Sequence, residues 1–211
     1  MSLVLIFAAT TACAHGAAPS KVKADVKSAP GVSLAKLRTT AVATFTIEGS
    51  VRQESAEPVA RNTHEDTMGA TDAFVRELVA AGVVVADRQA VDARLAELQR
   101  STGPLVEDGS GPSFGNELGA ATLVIGKYRF QCEGLIARGA DGDFVKPARV
   151  YSQSVQVTGY DLERGVVLFD AELALDEAMS DGRLLPKSLA RAAGQRLVAH
   201  LSSGATTPGS P

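Results

Sequence analysis

The sequence has two cysteines, three histidines and no tryptophan among its 211 residues. Two cysteines cannot build the disulfide framework of a small secreted domain. No apolar run reaches the roughly 18–20 residues that a membrane-spanning helix needs, which excludes a polytopic membrane protein. The formal net charge of −3 argues against nucleic acid as a partner, because binding phosphates needs a concentrated basic face.

The composition that remains is that of a globular protein. Hydrophobic residues make up 45% of the chain and charged residues 21%, which argues against a largely disordered protein. The length suits one domain of roughly 150 residues with a tail at each end. We therefore predict a single domain over residues 34–201 and a disordered tail over residues 202–211.

The first 13 residues resemble the signal of a bacterial lipoprotein. The apolar stretch over residues 3–12 has the length of a signal-peptide core and is too short to span a bilayer. It ends in small residues directly ahead of Cys13, so we expect cleavage before Cys13 and lipidation of its thiol. Ala14 in place of an aspartate resembles the default for sorting to the outer membrane. The alternative is a buried strand or helix with an incidental cysteine.

Residues 14–33 consist mostly of Ala, Ser, Pro, Gly and Lys. Such a stretch offers little apolar surface for burial. We predict a flexible tether between Cys13 and the domain.

Hydrophobic periodicity predicts the elements of the domain. In chain order these are a strand over 41–47, a loop over 49–65, a helix from 71 that ends at Gly82, a short buried strand over 83–85, a helix capped by Asp87, a loop over 103–115, a short helix over 113–120, strands over 122–130, 149–162 and 166–175, and a closing helix from about 186. The βαβ opening followed by an antiparallel meander predicts an α/β (α+β) fold, with a mixed sheet, helices packed against one of its faces and a C-terminal helix.

The strand over residues 166–175 alternates most cleanly between apolar and polar residues. Its odd-numbered side chains from Val167 to Leu175 are predicted to be buried, and Asp170 and Glu172 are predicted to face solvent. A slip of one residue would bury both carboxylates.

Three short motifs contain residue types that metal or phosphate sites use. The run His64-Glu65-Asp66 holds potential metal ligands, but adjacent residues rarely converge on one ion. The run Asp141-Gly142-Asp143 lacks the further oxygen ligands of a calcium loop, and the glycine-rich residues 109–115 lack the lysine and Ser/Thr of a phosphate loop. We therefore expect no catalytic residue, no metal and no cofactor.

Two further features have a structural interpretation. Cys132 has no histidine nearby in sequence and is predicted to be a buried thiol. The closing helix carries a basic set that is predicted to be its solvated face, with contact to anionic lipid or cell-wall polymer as the alternative. This set comprises Arg183, Lys187, Arg191 and Arg196.

Four short segments carry a resemblance to a known family. They are ELVAAG at 77–82, VVADR at 84–88, LGAATLVIG at 118–126 and YDLERGVVLF at 160–169. Their placement along residues 41–201 resembles the CsgG-like family of bacterial envelope lipoproteins, which includes the curli secretion channel component. The penicillin-binding-protein activator LpoB has a similar order of elements. The resemblance implies a periplasm-facing α/β domain tethered by a lipid.

Two functions follow from this resemblance. The first is a non-enzymatic outer-membrane lipoprotein, facing the periplasm, that binds an envelope protein partner in assembly, secretion or cell-wall enzyme activation. The second is a subunit of a curli-like oligomeric secretion channel, for which the chain would form a homo-oligomer. The channel-forming members insert two long amphipathic hairpins, whereas residues 128–151 carry charges on no consistent face and residues 175–189 hold no second hairpin. We therefore expect the first function.

Overall fold

The computed structural model describes residues 22–37, 39–52, 63–101, 110–136, 146–176 and 184–203. These residues form one mixed sheet of seven strands with four α-helices packed against it. The strands are β1 (Lys23–Ser28), β2 (Thr39–Val42), β3 (Thr46–Arg52), β4 (Val84–Val85), β5 (Thr122–Ile136), β6 (Lys146–Asp161) and β7 (Val166–Asp176). The helices are α1 (Thr63–Ala80), α2 (Arg88–Ser101), α3 (Gly111–Leu118) and α4 (Pro186–Ser202), and a 3-10 turn spans Leu34–Leu37.

The sheet combines an antiparallel half and a parallel half. The strand order is β1-β7-β6-β5-β2-β4, and β3 also pairs with β5. The pairs β1–β7, β7–β6 and β6–β5 are antiparallel, whereas β5 runs parallel to β2 and β3 and β2 runs parallel to β4. The predicted βαβ opening is formed by β2, α1 and β4, and the predicted fold class is confirmed.

The predicted strand over residues 41–47 is divided by one extra residue. Val42 pairs with Val124 and Thr46 with Lys127, so four steps along the β2–β3 segment match three steps along β5. The carboxylate of Asp92 in α2 stabilises the backbone between β2 and β3 by accepting a 2.9 Å hydrogen bond from the N–H of Thr44. Because the extra residue interrupts the alternation, Ala41 and Ala43 before it and Phe45 after it are buried on opposite faces of the sheet.

Helices cover both faces of the sheet, which corrects the prediction of helices on one face. Consecutive strand residues point to opposite faces of a sheet. Ala41 and Val42 are both buried, so both faces are covered at this point. The larger core cluster contains Val42, Phe45, Phe74, Leu78, Val124, Leu189, Ala193 and Leu197 and lies under α1 and α4. The smaller cluster contains Ala41, Ala43, Val91, Phe114, Ala120, Leu123 and Leu162 and lies under α2 and α3.

The predicted tether over residues 14–33 is wrong for its second half. Residues 23–28 form β1, which pairs with β7 at the edge of the sheet, and Val22 and Val26 pack against the larger core cluster. The energetic reason is that backbone hydrogen bonds to an existing edge need few apolar side chains. Residues 14–21 and Cys13 lie outside the described residues.

The predicted helix ends are largely confirmed. Gly82 follows α1 with φ of 85°, the left-handed conformation in which glycine is favoured. Asp87 caps α2 by accepting a 2.9 Å hydrogen bond from the N–H of Ala90. Two helices begin earlier than predicted, α1 at Thr63 and α3 at Gly111.

Two valine predictions are corrected by the pairing of the strands. Val84 is 61% exposed because β4 is an edge strand rather than a buried one. Val167 is 48% exposed because Gly159 pairs with Phe169 and Tyr160 with Val167, which leaves Leu168 as an extra residue in β7. A bulge of this kind turns the residues beyond it to the other face. The remaining predicted face is confirmed, with Phe169, Ala171, Leu173 and Leu175 buried.

Among the described residues, no helix has the length and apolar character required to cross a bilayer.

Candidate functional site

The candidate site is a polar surface on the face of the sheet that α2 and α3 cover only at one end. We call it the open face. Its side chains alternate outward along β1, β3, β5, β6 and β7, and all are exposed or half-buried. They are Lys23, Asp25, Lys27, Glu48, Lys127, Arg129, Gln131, Ser152, Ser154, Gln156, Thr158, Asp170, Glu172 and Ala174.

Strand pairing aligns these side chains in rows across the sheet. Glu48 pairs with Arg129, Arg129 with Ser154, and Ser154 with Ala174. The neighbouring row joins Lys127 to Gln156, Gln156 to Glu172, and Glu172 to Asp25. Because directly paired residues lie about 5 Å apart, each row brings charged and amide groups within hydrogen-bond reach.

Glu48 links β3 to β5 through two cations. Its carboxylate lies 2.8 Å from Lys127 Nζ and 3.1 Å from Arg129 Nε. These hydrogen bonds, first that from Lys127 and then that from Arg129, lower the pKa of Glu48 below its ordinary value. Arg129 also donates to Gln156 Oε1 at 3.3 Å, so the same cation reaches the next strand.

Asp170 forms a second centre of hydrogen bonding on the open face. Its carboxylate accepts from Thr158 Oγ1 at 2.6 Å and from Gln156 Nε2 at 3.1 Å. On the edge strand, Lys27 Nζ lies 2.6 Å from Asp25, and this contact raises the pKa of Lys27. Asp170 lies on the face that was predicted to meet solvent. It is half-buried there, where Thr158 and Gln156 donate hydrogen bonds to it.

The charges of the open face balance. The cations are Lys23, Lys27, Lys127 and Arg129, and the anions are Asp25, Glu48, Asp170 and Glu172. A wide depression crosses β3, β5, β6 and β7, with Glu48, Arg129, Ser154 and Glu172 in its lining. Such a surface offers many hydrogen-bond donors and acceptors over several strands, and it is more open than the concave, mostly apolar sites that enclose small molecules.

The structure leaves the two motifs with potential metal ligands untested and describes other His, Cys, Asp and Glu side chains. Among these described side chains, no group of three or more is placed to hold a metal ion. Residues 64–66 belong to the first turns of α1 and their side chains are not described, and residues 109 and 141–143 lie outside the described ranges. The glycine-rich stretch predicted as a loop instead begins α3 at Gly111.

Cys132 is a buried thiol, as predicted. It belongs to the larger core cluster, and burial raises its pKa, which disfavours the nucleophilic thiolate.

The basic set on α4 faces solvent where it is described. Lys187, Arg191 and Arg196 are exposed, and Arg191 Nε lies 3.9 Å from Glu77 Oε1 of α1. Arg183 lies outside the described residues. The predicted solvated face is therefore confirmed for these three residues.

Sequence reasoning missed the open face and β1. The alternation of Lys127, Arg129 and Gln131 with Tyr128, Phe130 and Cys132 was a usable signal for a strand with one solvated face. The spacing of Val22, Ala24 and Val26 was a weaker signal for β1.

No protein-family model matches the chain, and no curated protein matches it in sequence. Several solved structures are similar in chain path. The PelC dodecamer of Paraburkholderia phytofirmans is 16% identical, with 86% of this chain and 97% of that chain covered and a TM-score of 0.44.

Two further structures are similar to this chain. The lipoprotein GNA1162 of Neisseria meningitidis is 12% identical, with 66% of this chain and 81% of that chain covered and a TM-score of 0.40. The LpoB C-terminal domain of Salmonella enterica is 9% identical, with 69% of this chain and 96% of that chain covered and a TM-score of 0.34. At these scores the likeness transfers no function to this chain, and membership of the CsgG-like family stays a prediction.

Proposed function

We propose that this protein is a non-enzymatic lipoprotein of the outer membrane, facing the periplasm, that binds an envelope protein partner through its open face. The partner's process is envelope assembly, secretion or the activation of a cell-wall enzyme. The observation that carries the binding role is the open face itself, where fourteen side chains on five strands are exposed or half-buried and paired in rows.

The proposed anchor is Cys13. An apolar stretch of signal-peptide length ends in small residues directly before it, and Ala14 fits retention at the outer membrane. A lipid on this thiol attaches the domain to a bilayer through the residues that lead into β1.

Site-specific photocrosslinking in intact cells tests the binding role. We would introduce a photoreactive amino acid at Ser154, in the middle of the open face, and at the matched position Gln195 on the exposed side of α4. The proposal predicts a discrete crosslinked product from position 154 that is lost on adding Arg129→Glu, and none from position 195. Crosslinking confined to position 195 would place the partner on the helices and refute the role of the open face.

The alternative function is a subunit of a curli-like secretion channel. Its support is the sequence resemblance. The open-face residues of β5 from Lys127 to Gln131 and of β6 from Ser152 to Thr158 are polar, which argues against contact of this face with lipid. Measuring the size of the detergent-extracted protein and its ion conductance in planar bilayers distinguishes the two functions. A large ring that conducts ions would favour the channel.

A further inference from the structure

We propose that the outer edge of β3 accepts an extended segment of the protein partner, which joins the sheet as one more strand. This inference rests on the proposed function and names the kind of partner segment that the domain binds. It follows from a comparison of the sheet's edges and from the side chains on the two faces of β3.

β3 is the long edge of the sheet that has the fewest features opposing further pairing. Among the residues that the structure describes, β1, β3 and β4 each pair with a single strand. β4 has only two residues, and β1 carries the exposed Lys23 and Lys27. Short length and lysine side chains are two ways in which proteins protect sheet edges from other strands. β3 spans seven residues, Thr46–Arg52, and contains neither lysine nor proline.

The outer edge of β3 presents backbone groups that another strand matches. Consecutive residues of a paired strand direct their N–H and C=O groups alternately to the two sides, so about half of those in β3 point away from β5. The carboxylate of Glu48 is held toward β5 by Lys127 and Arg129 and does not guard this edge. Donors and acceptors at strand spacing are satisfied by the backbone of an extended chain.

The rows of the sheet determine which side chains such a strand needs. On the face under α1 and α4, one row of buried side chains ends at Ile47, which is only half-buried. The buried members of this row are Tyr128, Val155 and Leu173. An apolar side chain on the added strand would complete the burial of Ile47, whereas polar side chains fit beside the exposed Thr46 and Glu48 on the open face. The proposed segment therefore alternates between apolar and polar residues.

The added strand would also continue the open face. Its polar side chains extend the row that joins Glu48, Arg129 and Ser154. One partner can therefore contact the open face and the edge of β3 together, with backbone hydrogen bonds contributing affinity and the alternating side chains contributing specificity.

Photocrosslinking in intact cells at the two long edges tests where the segment binds. The photoreactive amino acid replaces Thr46 on β3 or, as the matched control, Lys23 on β1, which is exposed on the same face at the opposite edge. The proposal predicts a product with another protein from position 46 and none from position 23. The crosslinked peptide of that protein should alternate between apolar and polar residues.

Three results of this experiment would overturn the proposal. They are equal or stronger crosslinking from position 23, a product that joins position 46 to a second copy of this chain, and no product from position 46. If position 154 crosslinks a partner and position 46 does not, the role of the β3 edge fails and the proposed function stands. If neither position crosslinks, both fail.

Hydrogen exchange tests the backbone pairing itself. The exchange of peptides that cover β3 and β1 is measured for the full-length protein alone and for its complex crosslinked through position 154. The proposal predicts that β3 amides exchange at least about tenfold more slowly in the complex, while β1 is unchanged. Unchanged exchange of β3 would overturn the strand pairing. Slow exchange of every β3 amide in the protein alone would show that this edge is already occupied, and would overturn it as well.

Discussion

The ring of Phe169 on β7 lies over Gly159 on β6, its direct partner in the sheet, and a Cβ placed on Gly159 would lie 2.2 Å from Phe169 Cε1. The same relationship occurs twice more on the face of the sheet under α1 and α4, with Phe45 over Gly126 and Phe130 over Gly49. In each pair the glycine leaves the space that a buried ring occupies, so ring and glycine form one packing unit.

Substituting Gly159 should therefore destabilise the domain. We expect Gly159→Ala to cost about 1–3 kcal/mol, because the added methyl group displaces a buried ring from a close-packed site. The matched control is Ser154→Ala on the open face of the same strand, with an expected change within about 0.5 kcal/mol. Denaturant unfolding measures both, and equal stabilities would show that Phe169 does not lie over Gly159.

The bulge at Leu168 predicts unequal effects from two apolar residues of β7. Phe169 is 1% exposed and Val167 is 48% exposed. We expect Phe169→Ala to cost about 3–5 kcal/mol and Val167→Ala to cost less than about 1 kcal/mol, because only the first leaves a cavity. Thermal melts of the two variants check this, and a large loss from Val167→Ala would mean that β7 pairs without the bulge.

Asp170→Ala should destabilise the domain more than the strand's alternation alone predicts. Alternation alone predicts a cost within about 0.5 kcal/mol for Asp170→Ala. Because the carboxylate accepts hydrogen bonds from Thr158 and Gln156, we expect a cost of about 1–2 kcal/mol instead. Glu172→Ala, on the same strand and face, is the control with little expected change. Similar effects of the two substitutions would contradict the bonding of Asp170.

The contacts of Glu48 predict a defined pH dependence. The hydrogen bonds from Lys127 and Arg129 hold the pKa of Glu48 below its ordinary value of 4.5 in the folded state. The unfolded state therefore binds more protons in this range, so the stabilisation is present above the unfolded pKa and is lost as pH falls through the folded pKa.

The measurement is the unfolding free energy of the wild type and Glu48→Gln from pH 7 to pH 3. We expect the wild type's advantage to shrink as the pH falls below the ordinary glutamate pKa, and to be smaller in high salt because these groups are exposed. An advantage that stays constant down to pH 3 would show that Glu48 is not held by the two cations.

From β2 onward, the types and order of most elements followed from the sequence, whereas β1, the division of β2 from β3 and the details of strand pairing did not. Leu189, Ala193, Leu197 and Leu201 repeat at helical spacing and are all buried in α4. The extra residues near Thr44 and at Leu168 could not be predicted, because a bulge is defined by the partner strand and not by the bulged strand alone.

The candidate site was harder to predict than the fold. A balanced polar face has no distinctive spacing, and it exists only because β3, β5, β6, β7 and β1 become neighbours in the sheet. The predicted lipidation site depends on a local motif around Cys13 and needs no tertiary structure.

The most direct test of a lipid-anchored binding protein is the intact mass of the mature chain extracted from bacterial envelopes, compared with Cys13→Ala. The account predicts that the native chain begins at Cys13 and carries acyl chains, and that Cys13→Ala carries none and leaves the membrane fraction. A native chain that carries no lipid on Cys13 would contradict it.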